Sequence, residues 1–135
     1  MGITKAEALK AVDRERGPVC EASDRIWDQP ETAFQEFHST DVLCELLEKE
    51  GFRVERNLAG IATAFSGTYG SGKPVVGILG EFDALSGLSQ ESESLEKTAL
   101  VDGAPGHGCG HNLLGTGSVA AAIAVKEYLE KNGKE

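Results

Sequence analysis

The chain has 135 residues, of which 22 are acidic and 13 basic, and its formal net charge is −9. This balance argues against a nucleic acid or an anionic membrane as partner, because both carry negative charge. No apolar run approaches the ~20 residues of a membrane span, and the first ten residues contain no secretory signal. Three widely spaced cysteines predict no disulfide framework and favour a cytoplasmic protein.

Two helical regions are predicted in the first third of the chain. Residues 4–27 are predicted to be helical with a break at 17–18, a Gly-Pro pair, because proline breaks or kinks a helix. Glu31 and Glu36 follow and are interpreted as part of a solvated face. A second helix is predicted at about 39–50. Its apolar face consists of Val42, Leu43, Leu46 and Leu47.

Extended segments are predicted next. Residues 52–65 are predicted to be extended with an interruption at 57–60, and residues 69–73 are predicted to form a turn. The segment 74–79 contains the uninterrupted apolar run VVGIL. Such a run is typical of a central strand that is buried on both faces of a helix-covered sheet.

A long loop and a strong helix are predicted in the remainder. Residues 86–105 show little periodicity and many Ser, Glu and Gly residues, which predicts a loop. The last helix is predicted to begin at an Asn112 cap and to end before Gly133. Its apolar face includes Val119 and Ile123. The order of helices, strands, loop and helix predicts α/β architecture.

The run GHGCGHN at 106–112 is the strongest indication of chemistry in the chain. His107, Cys109 and His111 fall within five residues, and glycines separate them. Imidazole and thiolate are the ligands that zinc prefers, and glycine lets the backbone turn sharply enough for close-spaced ligands to face one ion. The run therefore predicts a metal site, with Cys109 and His111 at the start of the last helix.

Two other interpretations of this run stay open. The histidines could be loop residues with ordinary hydrogen bonds and Cys109 a buried thiol. The glycines before the last helix could instead bind a phosphate, since anions bind at helix N-termini. The phosphate interpretation is the weaker one, because no Gly-Lys-Ser/Thr follows and the spacing does not match the dinucleotide-binding pattern.

Two carboxylates directly follow the predicted buried strand. Glu81 and Asp83 are two residues apart, so in an extended segment their side chains share a face. Ligands collect at the carboxyl ends of strands in open α/β sheets. One carboxylate could orient a metal-binding imidazole, and a pair could serve acid–base chemistry. A solvated strand end is the alternative interpretation.

Three segments resemble the M20 family of metallopeptidases and amidohydrolases. The nearest branch is that of the aminobenzoyl-glutamate hydrolases and related dipeptidases, and the resemblance spans nearly the whole chain. Asn112 stands where many members carry Asp, which fits this branch, and Ser86 stands where members often carry Pro. The segments are GEFDALSGLSQ at 80–90, GHGCGHN at 106–112 and Pro30-Glu31-x-x-Phe34-x-Glu36.

This resemblance implies a set of site residues. It implies a divalent metal, zinc or manganese, with Cys109 and His111 as ligands. It implies that Asp83 is a catalytic residue that orients a ligand or the attacking water. Three further residues would surround the site and contact the substrate or the ligands: Glu81, His107 and Asn112.

The resemblance also implies a fold and a domain arrangement. The fold would be a partial, three-layer α/β domain of the zinc-peptidase type with a mixed sheet. Residues 1–135 would form the N-terminal part of the catalytic domain, without the dimerisation domain and the C-terminal part, and the parent protein would be a homodimer. In this family the general base belongs to an adjacent Glu-Glu pair, and the sequence contains no such pair.

The leading hypothesis is an N-terminal portion of a metal-dependent amidohydrolase. Its substrate would be an N-acyl amino acid, an aminobenzoyl-glutamate-like compound or a dipeptide, and the metal would polarise the amide carbonyl and activate water. The alternative is a non-catalytic truncated product or a metal-binding interaction module. This chain alone is expected to be inactive, and partly molten or self-associating because the strand at 74–79 would lack neighbours.

Overall fold

Four α-helices and one β-hairpin form the regular structure of residues 4–134, the part of the chain that the computed structural model describes. A short 3₁₀ turn, Leu58–Gly60, connects the two strands. The helices are α1 (Lys5–Arg14), α2 (Arg16–Asp28), α3 (Phe37–Lys49) and α4 (His111–Lys131), and the strands are β1 (Arg53–Arg56) and β2 (Phe65–Thr68).

A break in the first helical region is confirmed, but it lies at Glu15, two residues before the predicted position at 17–18. The helix α1 ends at Arg14, and α2 begins at Arg16. Pro18 lies in the first turn of α2, where backbone N–H groups have no partner within the helix, so its missing N–H costs nothing. Thr4 and Glu7 form a reciprocal cap at the start of α1.

The start of α3 is stabilised by a carboxylate from outside the helix. Glu31 accepts hydrogen bonds from the backbone N–H groups of His38 (2.9 Å) and Ser39 (2.8 Å) and from the Ser39 hydroxyl (2.8 Å). The helix therefore begins at Phe37, two residues before the predicted start. The interpretation of Glu31 and Glu36 as a solvated face is wrong, since Glu31 caps α3 and Glu36 is buried.

The strands β1 and β2 form an antiparallel hairpin, in which Arg53 faces Thr68 and Arg56 faces Phe65. The predicted interruption between two extended segments is confirmed by the 3₁₀ turn. The hairpin packs closely on α3. If Gly67 carried a Cβ atom, that atom would lie only 2.9 Å from the Leu47 side chain.

The core lies between α2, α3 and α4. Apolar side chains from one face of each helix meet there, and Phe52 joins them from the start of the hairpin. Burying this surface is the main favourable contribution to folding. The buried apolar residues of the cluster are Ala22, Ile26, Val42, Leu43, Leu46, Leu47, Phe52, Val119 and Ile123.

The helix α4 begins two residues earlier than predicted. Gly110 is its N-cap, and Asn112 lies inside the first turn with a buried side chain. The predicted Asn112 cap is therefore wrong, because this side chain is engaged in a tertiary contact described below. No helix found within residues 4–134 is long and apolar enough to cross a membrane.

The predicted central strand at 74–79 is not formed. Val75 is 85% exposed and Leu79 is 89% exposed, and the segment is assigned to no strand. The reason is that no other strand within 4–134 lies beside it, and a buried strand needs neighbours and cover on both faces. The partial α/β class is confirmed, with the hairpin as its sheet. The three-layer arrangement and a larger mixed sheet stay predictions.

Candidate metal centre

The segment 80–83, which carries the two carboxylates, lies directly against the first turns of α4. A Cβ at Gly80 would lie 2.7 Å from Ser118 Oγ, and a Cβ at Gly115 would lie 2.9 Å from Phe82 Cβ. Both distances are shorter than van der Waals contact. Glycine at these two positions therefore lets the backbone approach the helix closely.

Backbone hydrogen bonds hold residues 84 and 85, which follow the acidic segment, between two other parts of the chain. The Ala84 N–H donates to the Glu31 carbonyl (2.7 Å), and Leu85 and Gly106 exchange two backbone hydrogen bonds of 3.0 Å. A Cβ at Gly106 would lie 2.0 Å from the Leu88 carbonyl oxygen, so no side chain fits there. Backbone contacts thus bring the acidic segment beside the histidine-rich turn.

That turn directs His111 toward the carboxylates. The Gly110 N–H donates to the His107 carbonyl (2.8 Å) and closes the turn at 107–110. Gly110 has a φ of 77°, in the left-handed region that favours glycine. His111 follows as the first residue of α4, with its ring facing the segment 80–83.

An imidazole and two carboxylates meet at this point. The Nδ1–H of His111 donates to Asp83 Oδ1 (2.9 Å) and lies 3.1 Å from the Asp83 carbonyl oxygen. The Nε2 of His111 lies 3.4 Å from Glu81 Oε2. The side chains of His111 and Asp83 are largely buried, whereas that of Glu81 is 62% exposed. The bond to Asp83 fixes the orientation of the ring and the tautomer that carries its proton on Nδ1.

The donor set of this group fits a divalent metal. Glu81, Asp83 and His111 each offer one ligand atom, and these atoms all lie within 4.8 Å of one another. Imidazole nitrogen and carboxylate oxygen suit zinc, and carboxylate oxygen also suits manganese. The Nδ1 of His111 is hydrogen-bonded to Asp83. The ring nitrogen that could bind a cation is therefore Nε2, which lies beside Glu81. Such a carboxylate–imidazole pair is the usual way in which a protein orients a metal-binding histidine.

Cys109, the other predicted ligand, lies outside this group. Its side chain is exposed, and the one group of three ligand side chains found within 4–134 does not include it. It occupies the turn that precedes His111, so it is close to the site in the chain. Its role as a metal ligand stays a prediction.

His107 connects the turn to α2 and does not face the carboxylates. The residue is 4% exposed, and its Nε2–H donates to the Ile26 carbonyl near the end of α2 (3.2 Å). Its ring centroid lies 6.3 Å from that of Trp27. Burial lowers the pKa of His107, and the hydrogen bond to Ile26 opposes this shift in part. The ring is therefore neutral near pH 7.

Asn112 forms a second connection to the same helix. Its Nδ2 donates to the Ser23 hydroxyl (3.0 Å), and Thr116 Oγ1 donates to the Asn112 carbonyl (2.7 Å). Both Asn112 and Ser23 are buried. The first turn of α4 is thus held against α2 by side chains on either side of His111.

The contribution of α2 to the site is not apparent from the sequence motifs. Ser23 and Ile26 have no metal-binding chemistry, and they lie more than 80 residues from the histidine-rich run. The one signal was Ser23, a small polar residue between Ala22 and Ile26 on what becomes the buried face of α2. A buried hydroxyl requires a hydrogen-bond partner, and here that partner is Asn112.

Three known proteins are similar to nearly the whole chain, whereas no family model matches it. The chain is 50% identical over 124 residues to a subunit of the p-aminobenzoyl-glutamate hydrolase of Escherichia coli (strain K12), a match that covers 92% of this chain and 26% of the relative. It is 28% identical over 142 residues to Xaa-Arg dipeptidase of Homo sapiens, covering 95% of this chain and 28% of the relative. The corresponding identity to Xaa-Arg dipeptidase of Mus musculus is 27%.

The chain therefore spans about a quarter of the length of the relatives that it matches. The matched regions include the motifs at 80–90 and 106–112, since the matches cover more than nine-tenths of the chain. Both kinds of relative are named for the hydrolysis of an amide or peptide bond. Together with the carboxylate–imidazole group, these similarities show that the chain belongs to the M20 family of metallopeptidases and amidohydrolases.

Proposed function

We propose that this chain is the N-terminal part of the catalytic domain of an M20-type, metal-dependent amidohydrolase. The observation that carries the proposal is the meeting of His111 with Asp83 and Glu81, from two segments 28 residues apart in sequence. The substrate class that follows from the relatives is an N-acyl amino acid, an aminobenzoyl-glutamate-like compound or a dipeptide. The same family resemblance is the basis for proposing a homodimeric, cytoplasmic parent protein.

Each residue of the group has a separate role in this proposal. Asp83 holds the Nδ1–H of His111, so that Nε2 presents its lone pair on the side of Glu81. A divalent metal, zinc or manganese, would be held by His111 and Glu81, with Cys109 as a further ligand, and would supply Lewis-acid polarisation of the amide carbonyl. Glu81 balances positive charge at the site, and its exposure leaves the group open to a substrate from solvent.

Neither carboxylate of the group is left to act as a general base. Asp83 is engaged by His111, and Glu81 faces the ring atom that would bind the cation. No other His, Cys, Asp or Glu within residues 4–134 joins this group. A missing general base typically lowers the rate ~10²–10⁴-fold, so this chain by itself is proposed to bind metal and not to turn over amides.

A chimera tests this proposal. The matched 124-residue region of the Escherichia coli relative is replaced by this chain, and the hydrolysis of p-aminobenzoyl-glutamate is measured. We expect activity in the chimera and none in this chain alone. Asp83→Asn should lower the activity at least ~10²-fold, since the orienting group is lost, whereas Asp102→Asn, in an exposed loop, should leave it unchanged.

Two results would contradict the proposal. One is a folded, metal-loaded chimera that does not hydrolyse the substrate. The other is equal activity in the Asp83→Asn and Asp102→Asn chimeras. Zinc titration of this chain and of a His111→Ala variant gives an independent readout, because loss of the imidazole should remove binding whether or not catalysis occurs.

A further inference from the structure

Glu31 is held by hydrogen bonds through both its side chain and its backbone. Its carboxylate accepts three hydrogen bonds at the start of α3, two from the backbone N–H groups of His38 and Ser39 and one from the Ser39 hydroxyl. Its backbone carbonyl accepts the Ala84 N–H (2.7 Å), where the two segments form a short parallel pairing. Glu31 therefore links the N-terminus of a core helix to the residue that directly follows Asp83.

The peptide group between Asp83 and Ala84 extends this link to His111. A trans peptide is planar, and its N–H and C=O point in opposite directions. Here the N–H points at the Glu31 carbonyl, and the C=O oxygen lies 3.1 Å from the Nδ1 of His111. The peptide plane is thus fixed from both sides. The Cα of Asp83, which carries the carboxylate that also binds Nδ1 (2.9 Å), is fixed with it.

We infer that Glu31 is a positioning residue for the candidate metal group and acts on the orientation of His111 through the Asp83–Ala84 peptide. The inference rests on the proposed function, in which the Nε2 of His111 binds a divalent metal. It adds a residue that contributes no ligand atom, since the group itself consists of Glu81, Asp83 and His111. A group that orients a metal-binding imidazole changes metal affinity without touching the metal.

The connection that carries Glu31 has a strained backbone. Phe34 has a φ of 66°, in the left-handed region that residues with a side chain rarely adopt. A hydrogen bond from the Gln35 N–H to the Thr32 carbonyl (2.9 Å) closes the turn around it. Strained backbone persists only where surrounding contacts determine it, and the bonds of Glu31 to α3 and to Ala84 are such contacts. Loss of the Glu31 carboxylate should therefore let the connection relax and move the acceptor away from the Ala84 N–H.

NMR of the imidazole nitrogens in the metal-free, 135-residue chain measures the orientation of His111 directly. The shifts of the two ring nitrogens report which of them carries the proton, and a His111→Ala variant assigns the signals. We expect a single tautomer with the proton on Nδ1 in the unsubstituted chain, because Asp83 accepts that proton. In Glu31→Ala both tautomers should be populated, since the Asp83–Ala84 peptide is then released on one side.

Thr4→Ala is the matched control, because it also removes a helix cap. Thr4 and Glu7 cap α1, and neither is hydrogen-bonded to the segment 80–84 within the described part of the chain. Both Thr4→Ala and Glu31→Ala should lower the urea midpoint, and only Glu31→Ala should change the His111 tautomer. Ser39→Ala removes one of the three hydrogen bonds to the Glu31 carboxylate and should give a smaller change in the same direction.

Zinc titration gives a second readout. Glu31→Ala should weaken zinc binding about tenfold, the lower end of the loss that is typical when a group that orients a metal ligand is removed. Thr4→Ala should leave the zinc dissociation constant unchanged. If the unsubstituted chain binds no zinc and Glu31→Ala still changes the His111 tautomer, the proposed metal site fails and the positioning role of Glu31 stands.

Three results would overturn the inference. The first is a mixture of His111 tautomers in the unsubstituted chain. The second is a tautomer that is unchanged in both Glu31→Ala and Ser39→Ala. The third is an equal change in Thr4→Ala, because the effect would then come from a general loosening of the helices. Far-ultraviolet circular dichroism identifies a variant that fails to fold. If Glu31→Ala does so, Ser39→Ala decides the test, since it keeps both backbone N–H bonds to Glu31.

Discussion

Gly115→Ala is the substitution that most directly tests how α4 positions the acidic segment. The added Cβ would lie 2.9 Å from Phe82 Cβ and 3.2 Å from the Glu81 carbonyl oxygen. Real Cβ contacts are longer, so the segment 81–83 has to move away from the helix by several tenths of an ångström. Gly117→Ala is the matched control, because nothing lies within 4 Å of a Cβ there and the residue is in the same helix.

The expected stability changes have opposite signs. Alanine in place of glycine inside a helix stabilises by roughly 0.5–1 kcal/mol, so Gly117→Ala should be more stable than the unsubstituted chain by about this amount. Overpacking typically costs ~1–3 kcal/mol. Gly115→Ala carries both effects, and the net result should be a loss of roughly 0.5–2 kcal/mol.

Urea unfolding followed by circular dichroism measures both variants, at a concentration low enough for the chain to be monomeric. Zinc titration measures the consequence for the site, and we expect weaker binding in Gly115→Ala alone, because the movement of 81–83 displaces Asp83 and Glu81 from His111. Equal free energies of unfolding for the two variants would refute the close packing on which this reasoning depends.

Two further predictions concern the cap of α3 and the three cysteines. Glu31→Ala should lower the free energy of unfolding by about 0.5–2 kcal/mol, since two N–H groups at the start of α3 lose their acceptor; an unchanged urea midpoint would contradict the cap. Burial raises the pKa of the Cys44 thiol to about 11, so at pH 8 the reactive thiolate is scarce. Iodoacetamide should therefore modify the exposed Cys20 and Cys109 and spare Cys44 until the chain is unfolded, and mass spectrometry of the folded chain should show two adducts and not three.

The parts of the fold that were predictable from sequence are those set by local chemistry. Proline at position 18 breaks the first helical region whatever packs around it. The apolar face of α3 recurs at helical spacing and lies in the core. The prediction of a strand at 74–79 is wrong for a different reason. An apolar run indicates which side chains prefer burial, but a strand also needs a neighbouring strand, and the presence of that neighbour depends on the rest of the chain.

The candidate site also has a part that local sequence predicts and a part that depends on distant segments. The closeness of Asp83 and His111 was predictable from motifs that carry their own chemistry. Asparagine at position 112 predicts a cap because asparagine favours that position, and its hydrogen bond to Ser23 in a distant helix cannot be predicted from either sequence region. The role of Glu31 was missed for a similar reason, since the N–H groups that it binds lie seven and eight residues ahead and follow no local capping pattern.

The attachment of the histidine-rich turn to α2 has a consequence for the cooperativity of the domain. His107 and Asn112 donate hydrogen bonds to Ile26 and Ser23, so undocking of α2 removes two of the contacts that hold the turn that carries His111. Local opening of α2 is therefore coupled to the geometry of the Asp83–His111–Glu81 group, and a ligand that binds only the intact group would also stabilise the docking of α2. Residues with no chemistry of their own, far away in the sequence, thereby become determinants of affinity at the site.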